Sequence, residues 1–315
     1  MIRTPLCELL GIQYPVFQGG MAWIADGRLA AAVSEGGGLG IIAAGNAPAQ
    51  YVREQIRAAR ALTSRPFGVN VMLMSPFADE VADVLAEEKV PVVTTGAGNP
   101  SKYMEMWRNA GIKAIPVVAS ASMAKLMTRL GASAVIAEGG ESGGHVGDMT
   151  TMVLVPMVCD VTDLPVIAAG GIADGRGVAA AFMLGACGVQ IGTRFLSAEE
   201  CAIHPTYKEK ILSASDRATV VTGKRLGHPV RSLRTPFARN YAKAEYSSIS
   251  DEDLEQMGVG ALRLAVQEGD IEHGCFLAGQ TAAMVHAVQP AAEIVRSVIS
   301  EAEPLLKGAA KWITE

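Results

Sequence analysis

Charge is sparse in this chain: only 19% of its 315 residues are Asp, Glu, Lys or Arg, and the net charge is −5 at neutral pH. No dense run of Lys and Arg offsets that acidic balance, which argues against a nucleic-acid partner. No stretch reaches the ~18 uninterrupted apolar residues that a membrane span needs, so no membrane association is expected. The opening MIRTPLCELLGIQYPVF has neither a basic segment leading into an apolar one nor a small-residue cleavage site, and a cytoplasmic protein is expected. The five cysteines, Cys7, Cys159, Cys187, Cys201 and Cys275, are odd in number, scattered, and never in a CxxC pair. They read as reduced thiols with no zinc site. His204, His228, His273 and His286 lie far apart with no i, i+4 partner, so no catalytic metal is expected. No GxSxG elbow or Ser/His/Asp order is present, which disfavours hydrolysis by a protein nucleophile.

Hydrophobic residues make up 50% of the chain and glycines number 34, while aromatics are only 5%. That profile suits an α/β protein, whose parallel strands are apolar on both faces and whose βα turns are tight. Short apolar, β-branched runs recur at YPVFQ (Tyr14), LGIIA (Leu39), FGVNVML (Phe67), VVTT (Val92), KAIPVVA (Lys113), AVIAE (Ala134), VIAAG (Val166) and GVQIG (Gly188). Segments of helical period alternate with them, which gives eight βα units and points to a (β/α)8 TIM barrel. A doubly wound open sheet is the rival; it needs fewer strands, and its GxGxxG after the first strand is missing. The alternation stops over 198–258, where the chain turns polar and basic with Lys208, Lys210, Lys224, Arg225, Arg231, Arg234 and Arg239. This reads as a small inserted cap domain, leaving 1–197 and 259–315 for the barrel, with helical period returning over Gly260–Glu268, Ala278–Val288 and Ala291–Leu306.

In a barrel the chemistry collects in loops at the C-terminal strand ends. The first strand leads into Gly19, Gly20, Met21 and Ala22. The third carries Asn70 within an apolar run, where a buried amide needs a partner. The sixth leads to Glu138, Ser142, Gly143, Gly144 and His145, in a loop of almost only small residues. Such a loop either keeps backbone close to a flat ligand, with an imidazole able to exchange protons near neutral pH, or is a plain connection with a solvated histidine. The seventh and eighth strands end in Gly170 and Gly171 and in Gly192 and Thr193. Barrels commonly bind a phosphate through backbone N–H groups at those two loops.

Taken together, YPVFQGGMAW, GGLGIIAAGN, FGVNVMLMSPF, TTGAGNP, IAEGGESGGHVG, VIAAGGIADGRG and QIGTRF resemble the FMN-dependent enoyl-acyl-carrier-protein reductases of the FabK type, which group with the nitronate monooxygenases. The likeness runs from Leu6 to Ala278–Gln280. It implies FMN as cofactor, NADH or NADPH as co-substrate, a monovalent cation as some relatives require, an acyl carrier protein bearing the enoyl chain as partner, and a homodimer. It further implies that Gly20, Met21 and Ala22 lie along the flavin ring, that Asn70 hydrogen-bonds its polar edge, that Glu138 and Ser142 support ring and ribityl with Gly143 and Gly144 also at the cofactor, that Gly170, Gly171, Gly192 and Thr193 hold the phosphate, and that His145 is catalytic. The basic cap residues would meet either the acidic carrier or the cofactor's phosphates, or form only a solvated face. The sequence departs from the family at Leu277, where methionine is expected, a near-isosteric change. Rival readings are a nitronate monooxygenase with His145 as base, a non-catalytic flavin binder, and a phosphosugar-binding barrel without flavin.

Overall fold

The computed structural model describes residues 2–312. Its central sheet is built from β1 (Val16–Gln18), β2 (Ile41–Ala43), β3 (Gly68–Met72), β4 (Val92–Gly96), β5 (Lys113–Val118) and β6 (Val135–Glu138). The short β7 (Gly144–His145) lies outside that sheet, and β8 (Val166–Ala169) and β9 (Gly188–Ile191) complete it. The eight strands are parallel in the order β1-β9-β8-β6-β5-β4-β3-β2, each crossover carrying a helix. Apolar runs alone make these strands because both faces are covered: side chains pointing inward meet each other, and those pointing outward meet helices.

Closure between β1 and β2 uses side chain as well as backbone. Phe17 bridges Leu39 in parallel, and the Gln18 N–H donates to Leu39 O at 3.0 Å. The Gln18 amide then continues the ladder, accepting from the Ile41 N–H at 3.1 Å and donating to Ile41 O at 3.2 Å. The barrel is thus closed, as the eight-unit reading expects. Its interior is a layered cluster of Phe17, Leu39, Ile41, Val92, Ile115, Ile136 and Ile167, plugged at one end by Leu6, Cys7 and Leu10 of the first helix, Pro5–Leu10. The other end carries the loops.

Within 198–258 the structure has a helix at Pro205–Leu212, β10 (Thr219–Thr222), β11 (Val230–Leu233), and helices at Pro236–Glu245 and Asp251–Gly258. β10 and β11 are antiparallel, and β7 joins as their third strand, with Val230 opposite His145 and Arg231 opposite Gly144. A small separate cluster of Phe237, Tyr241, Leu254 and Ala261 packs beneath.

One expectation fails. The helical period over Ala278–Val288 yields only a 3-10 turn at Gln280–Met284. The backbone there is spent on other partners: the Gly279 N–H donates to Thr193 Oγ1 at 2.9 Å and the Gln280 N–H to Glu141 O at 3.0 Å. Gly279 before the turn (φ −78°, ψ 173°) and Val285 after it (φ −102°, ψ 112°) are extended, so helical backbone is confined to the five residues between them.

Candidate active site

All of the residues singled out at the strand ends line one cavity of about 460 Å³ at the C-terminal end of the barrel: Gly20, Met21, Ala22, Asn70, Glu138, Ser142, Gly143, Gly144, His145, Gly170, Gly171, Gly192 and Thr193. Its size is in the range of cofactor sites. The strand ends hold its walls; the loop after β6 and residues 277–279 fold over one side.

The first wall depends on close approach. A Cβ on Gly20 would sit 2.4 Å from Asn70 Cβ, so only glycine lets the β1 loop pass there. Asn70 Nδ2 donates to Thr94 Oγ1 at 3.0 Å, which fixes the amide at the cavity edge.

Opposite lies a cradle of backbone donors. Gly170 and Gly171 have φ of +90° and +73°, a left-handed pair that non-glycine residues rarely adopt. Among the described residues the N–H groups of Gly170, Gly171 and Gly192 donate to no backbone carbonyl. Thr193 opens the short 3-10 helix Thr193–Ser197, where N–H groups are orphaned by geometry. Grouped orphan N–H donors at two adjacent strand ends suit a phosphate. A Cβ on Gly192 would meet only Met21 Sδ, at 3.8 Å, and one on Gly96 would meet nothing within 4 Å, so glycines keep the cavity wide for a flat group. The donor set and the open shape fit FMN.

The third wall bears the titratable groups. Glu138 is held by Ser142 Oγ, which donates to Glu138 Oε1 at 3.2 Å, and no cation stands beside it to favour ionisation. Burial raises its pKa from 4.5 to about 7. A carboxyl whose pKa is higher folded than unfolded is penalised as it ionises, so the penalty grows between pH 4.5 and about 7 and is constant above. In flavin-free protein, Glu138→Gln is therefore expected to gain stability over the wild type progressively across that interval, read as urea midpoints at a series of pH values. Parallel midpoints for the two proteins would contradict it.

His145 is exposed as a residue at the cavity rim, yet the surrounding walls desolvate its imidazole and His228 adds like charge, so its pKa is lowered from 6.5. The ring is accordingly uncharged at neutral pH and offers a hydrogen-bond donor on one nitrogen.

Several residues essential to this geometry carry no sequence signal. Glu141 accepts from the Thr151 N–H at 3.0 Å, closing the base of the His145 loop. Gln190 is buried beside Gly19 and lines the cavity. Of the cap cations Lys208, Lys224, Arg225 and Arg231, three are bonded within the protein: Lys208 Nζ donates to Ala198 O at 2.7 Å, Arg225 binds Ile249 O at 2.7 Å and Asp251 at 2.8 Å, and Arg231 donates to Gly140 O at 2.8 Å. Of the four, Lys224 alone is exposed without a bond of this kind among the described residues. Those residues also include no cluster of three metal-ligating side chains, and all five cysteines are free.

Known proteins share this arrangement. The structure of FabK from Thermotoga maritima superposes with a TM-score of 0.97 at 52% identity, covering 99% of this chain and 100% of that one. An indene-carboxyl-CoA dehydrogenase of Rhodococcus jostii (strain RHA1) is 33% identical, with 96% of each chain covered. A probable nitronate monooxygenase of Staphylococcus aureus (strain MSSA476) is 31% identical over 97% of this chain and 99% of its own. The nitronate monooxygenase family model matches residues 3–87 and 75–301, nearly the whole barrel and cap, and this chain is a member of that family.

Proposed function

We propose that the protein is an FMN-dependent enoyl-acyl-carrier-protein reductase, an oxidoreductase that saturates the trans-2 double bond of enoyl thioesters with NAD(P)H in fatty acid elongation. The observation that carries this reading is the 52% identity to FabK from Thermotoga maritima across essentially both whole chains, with a single cavity that gathers the phosphate cradle, Asn70 and His145. The Rhodococcus relative, named as a dehydrogenase of a carboxyl-CoA, supports a thioester as the substrate class.

The N–H groups of Gly170, Gly171, Gly192 and Thr193 would hold the FMN phosphate. Gly20, Met21, Ala22 and Asn70 would border the ring, with Glu138 and Ser142 supporting ring and ribityl. When bound, FMN supplies the hydride relay between NAD(P)H and the β-carbon of the enoyl thioester. The chain's own part is orientation and proton handling. As charge builds on the thioester oxygen, the neutral His145 imidazole would donate a hydrogen bond to it, and the glycine walls would exclude water. An acyl carrier protein would present the chain at the cavity mouth in a cytoplasmic homodimer.

The test is an anaerobic stopped-flow run on the flavin-loaded protein. NADH or NADPH is expected to bleach the flavin absorbance, and a crotonyl thioester to restore it. A flavin that stays oxidised with both nucleotides but bleaches with an alkyl nitronate would replace the reductase by a monooxygenase, in which His145 acts as base.

A further inference from the structure

His145 sits on a loop that is fastened at three places, and one cap residue takes part in two of them. At the base of the loop the Gly140 N–H donates to Met149 O at 2.7 Å, and the Glu141 carboxylate takes the Thr151 N–H. At the tip, β7 lies along β11, with the Val146 N–H donating to Pro229 O at 3.0 Å and Arg231 opposite Gly144 in the ladder. The Arg231 side chain then reaches back across the loop. Its Nη2 donates to Gly140 O at 2.8 Å and its Nη1 to Thr219 Oγ1 at 3.3 Å on β10. Arg231 therefore spans the loop, holding Gly140 with its guanidinium and facing Gly144 with its backbone.

The cost of this arrangement is visible. Arg231 Nε is buried with no hydrogen-bond partner, and burial lowers the guanidinium pKa while the Glu141 carboxylate raises it. An unpartnered buried donor is destabilising, and an unbranched apolar side chain such as methionine would avoid it. Fold stability alone does not explain an arginine here; the rigid fork that joins loop base to cap sheet does.

We infer that Arg231 is a positioning residue for His145, tying the loop that carries the imidazole to the β10–β11 sheet of the cap and thereby fixing where the ring stands over the cavity. The inference rests on His145 being the group that meets substrate. The charged group that acts on the imidazole is His228 on the turn before β11; Glu138 at the end of β6 and Glu141 at the loop base line the same cavity, and Arg231 stands opposite Gly144, next to His145 in the chain.

The experiment uses Arg231→Met, Arg231→Lys and Thr219→Val in the full-length protein, with two readouts. The first is the NMR titration of the His145 ring in flavin-free protein, which does not depend on turnover. The second is kcat and KM for enoyl thioester reduction by the flavin-loaded enzyme. With the brace removed the walls around the ring loosen, so in Arg231→Met the His145 titration is expected to move upward toward the ordinary value. A misplaced reacting group costs on the order of 10²-fold, and that loss is expected in kcat with KM little changed. Arg231→Lys restores most of both, and Thr219→Val shifts both in the same direction by less. Should Arg231→Met not fold, Thr219→Val alone decides. A wild-type His145 titration in Arg231→Met, or in Thr219→Val where it decides, overturns the inference, whatever happens to the rate. A shifted titration with unchanged kcat leaves Arg231 as the brace and removes instead the catalytic assignment of His145.

Discussion

Replacing His145 by alanine is expected to lower turnover with enoyl thioester by about 10²- to 10⁴-fold, the range typical of a lost acid or hydrogen-bond donor. FMN binding should be retained. The separation follows from the site's layout: His145 stands at the rim, on a loop held by backbone pairing to β11, while the orphan N–H groups proposed for the phosphate belong to β8 and β9. On the proposed mechanism, removing the ring would take away a partner for the developing oxyanion without disturbing the cradle. Reduction of the flavin by NAD(P)H is expected to continue in the variant, because the deficit falls on the second half-reaction. The check is a comparison of the two half-reaction rates in wild type and variant. Equal rates of flavin reoxidation by the thioester would remove His145 from the mechanism, and loss of both half-reactions together with FMN would mean that the ring is structural.

The second large effect lies at Gly192. An added Cβ there meets only Met21 Sδ, at 3.8 Å, and the residue's φ of −107° is allowed to any amino acid, so Gly192→Ala should fold as the wild type does. Its methyl would nonetheless enter the cavity that Gly192 lines, at the strand end whose N–H groups are proposed for the phosphate. Displacing one charge-assisted hydrogen bond costs about 1.5–3 kcal/mol, or roughly 10- to 10²-fold in affinity. FMN is therefore expected to bind that much more weakly, whereas riboflavin, which lacks the phosphate, should bind nearly as before. Fluorescence titration of the two flavins against apoprotein distinguishes the cases. Equal weakening of both would place the phosphate elsewhere.

Most of the barrel can be read from the sequence for a simple reason. Strands covered on both faces must be apolar, so runs such as VIAA at β8 and GVQI at β9 announce themselves without regard to what surrounds them. The glycine pair at the end of β8 is legible because few other residues tolerate the left-handed conformation of Gly170 and Gly171. The parts that escape are those decided by distant partners. β7 is two residues long, one a glycine at φ +78°, and becomes a strand only because β11 supplies its ladder. Arg231 looks like one more exposed cap cation until the fold brings it to Gly140, ninety-one positions earlier in the chain. Gln18 reads as the polar end of a strand, and its use in closing the barrel follows only from β1 and β2 being neighbours in space. Likewise the helical period after Ala278 is real, but extended backbone at Gly279 and Val285 confines it to one short turn.

The relatives of this chain span more than one chemistry, since they include a named dehydrogenase of a carboxyl-CoA and probable nitronate monooxygenases. The cavity itself does not choose among them by its glycines; the choice is made by what the reduced cofactor is offered and by how the His145 nitrogen is used. The measurement that decides most directly is the mass of the product. Flavin-loaded protein is incubated without oxygen with NADH or NADPH and a trans-2-octenoyl thioester, and the acyl group is weighed. The reductase reading requires an acyl chain two hydrogens heavier, formed in proportion to the nucleotide oxidised and lost in His145→Ala. An unchanged octenoyl chain with either nucleotide, from a protein that consumes oxygen when given a nitronate, would contradict it.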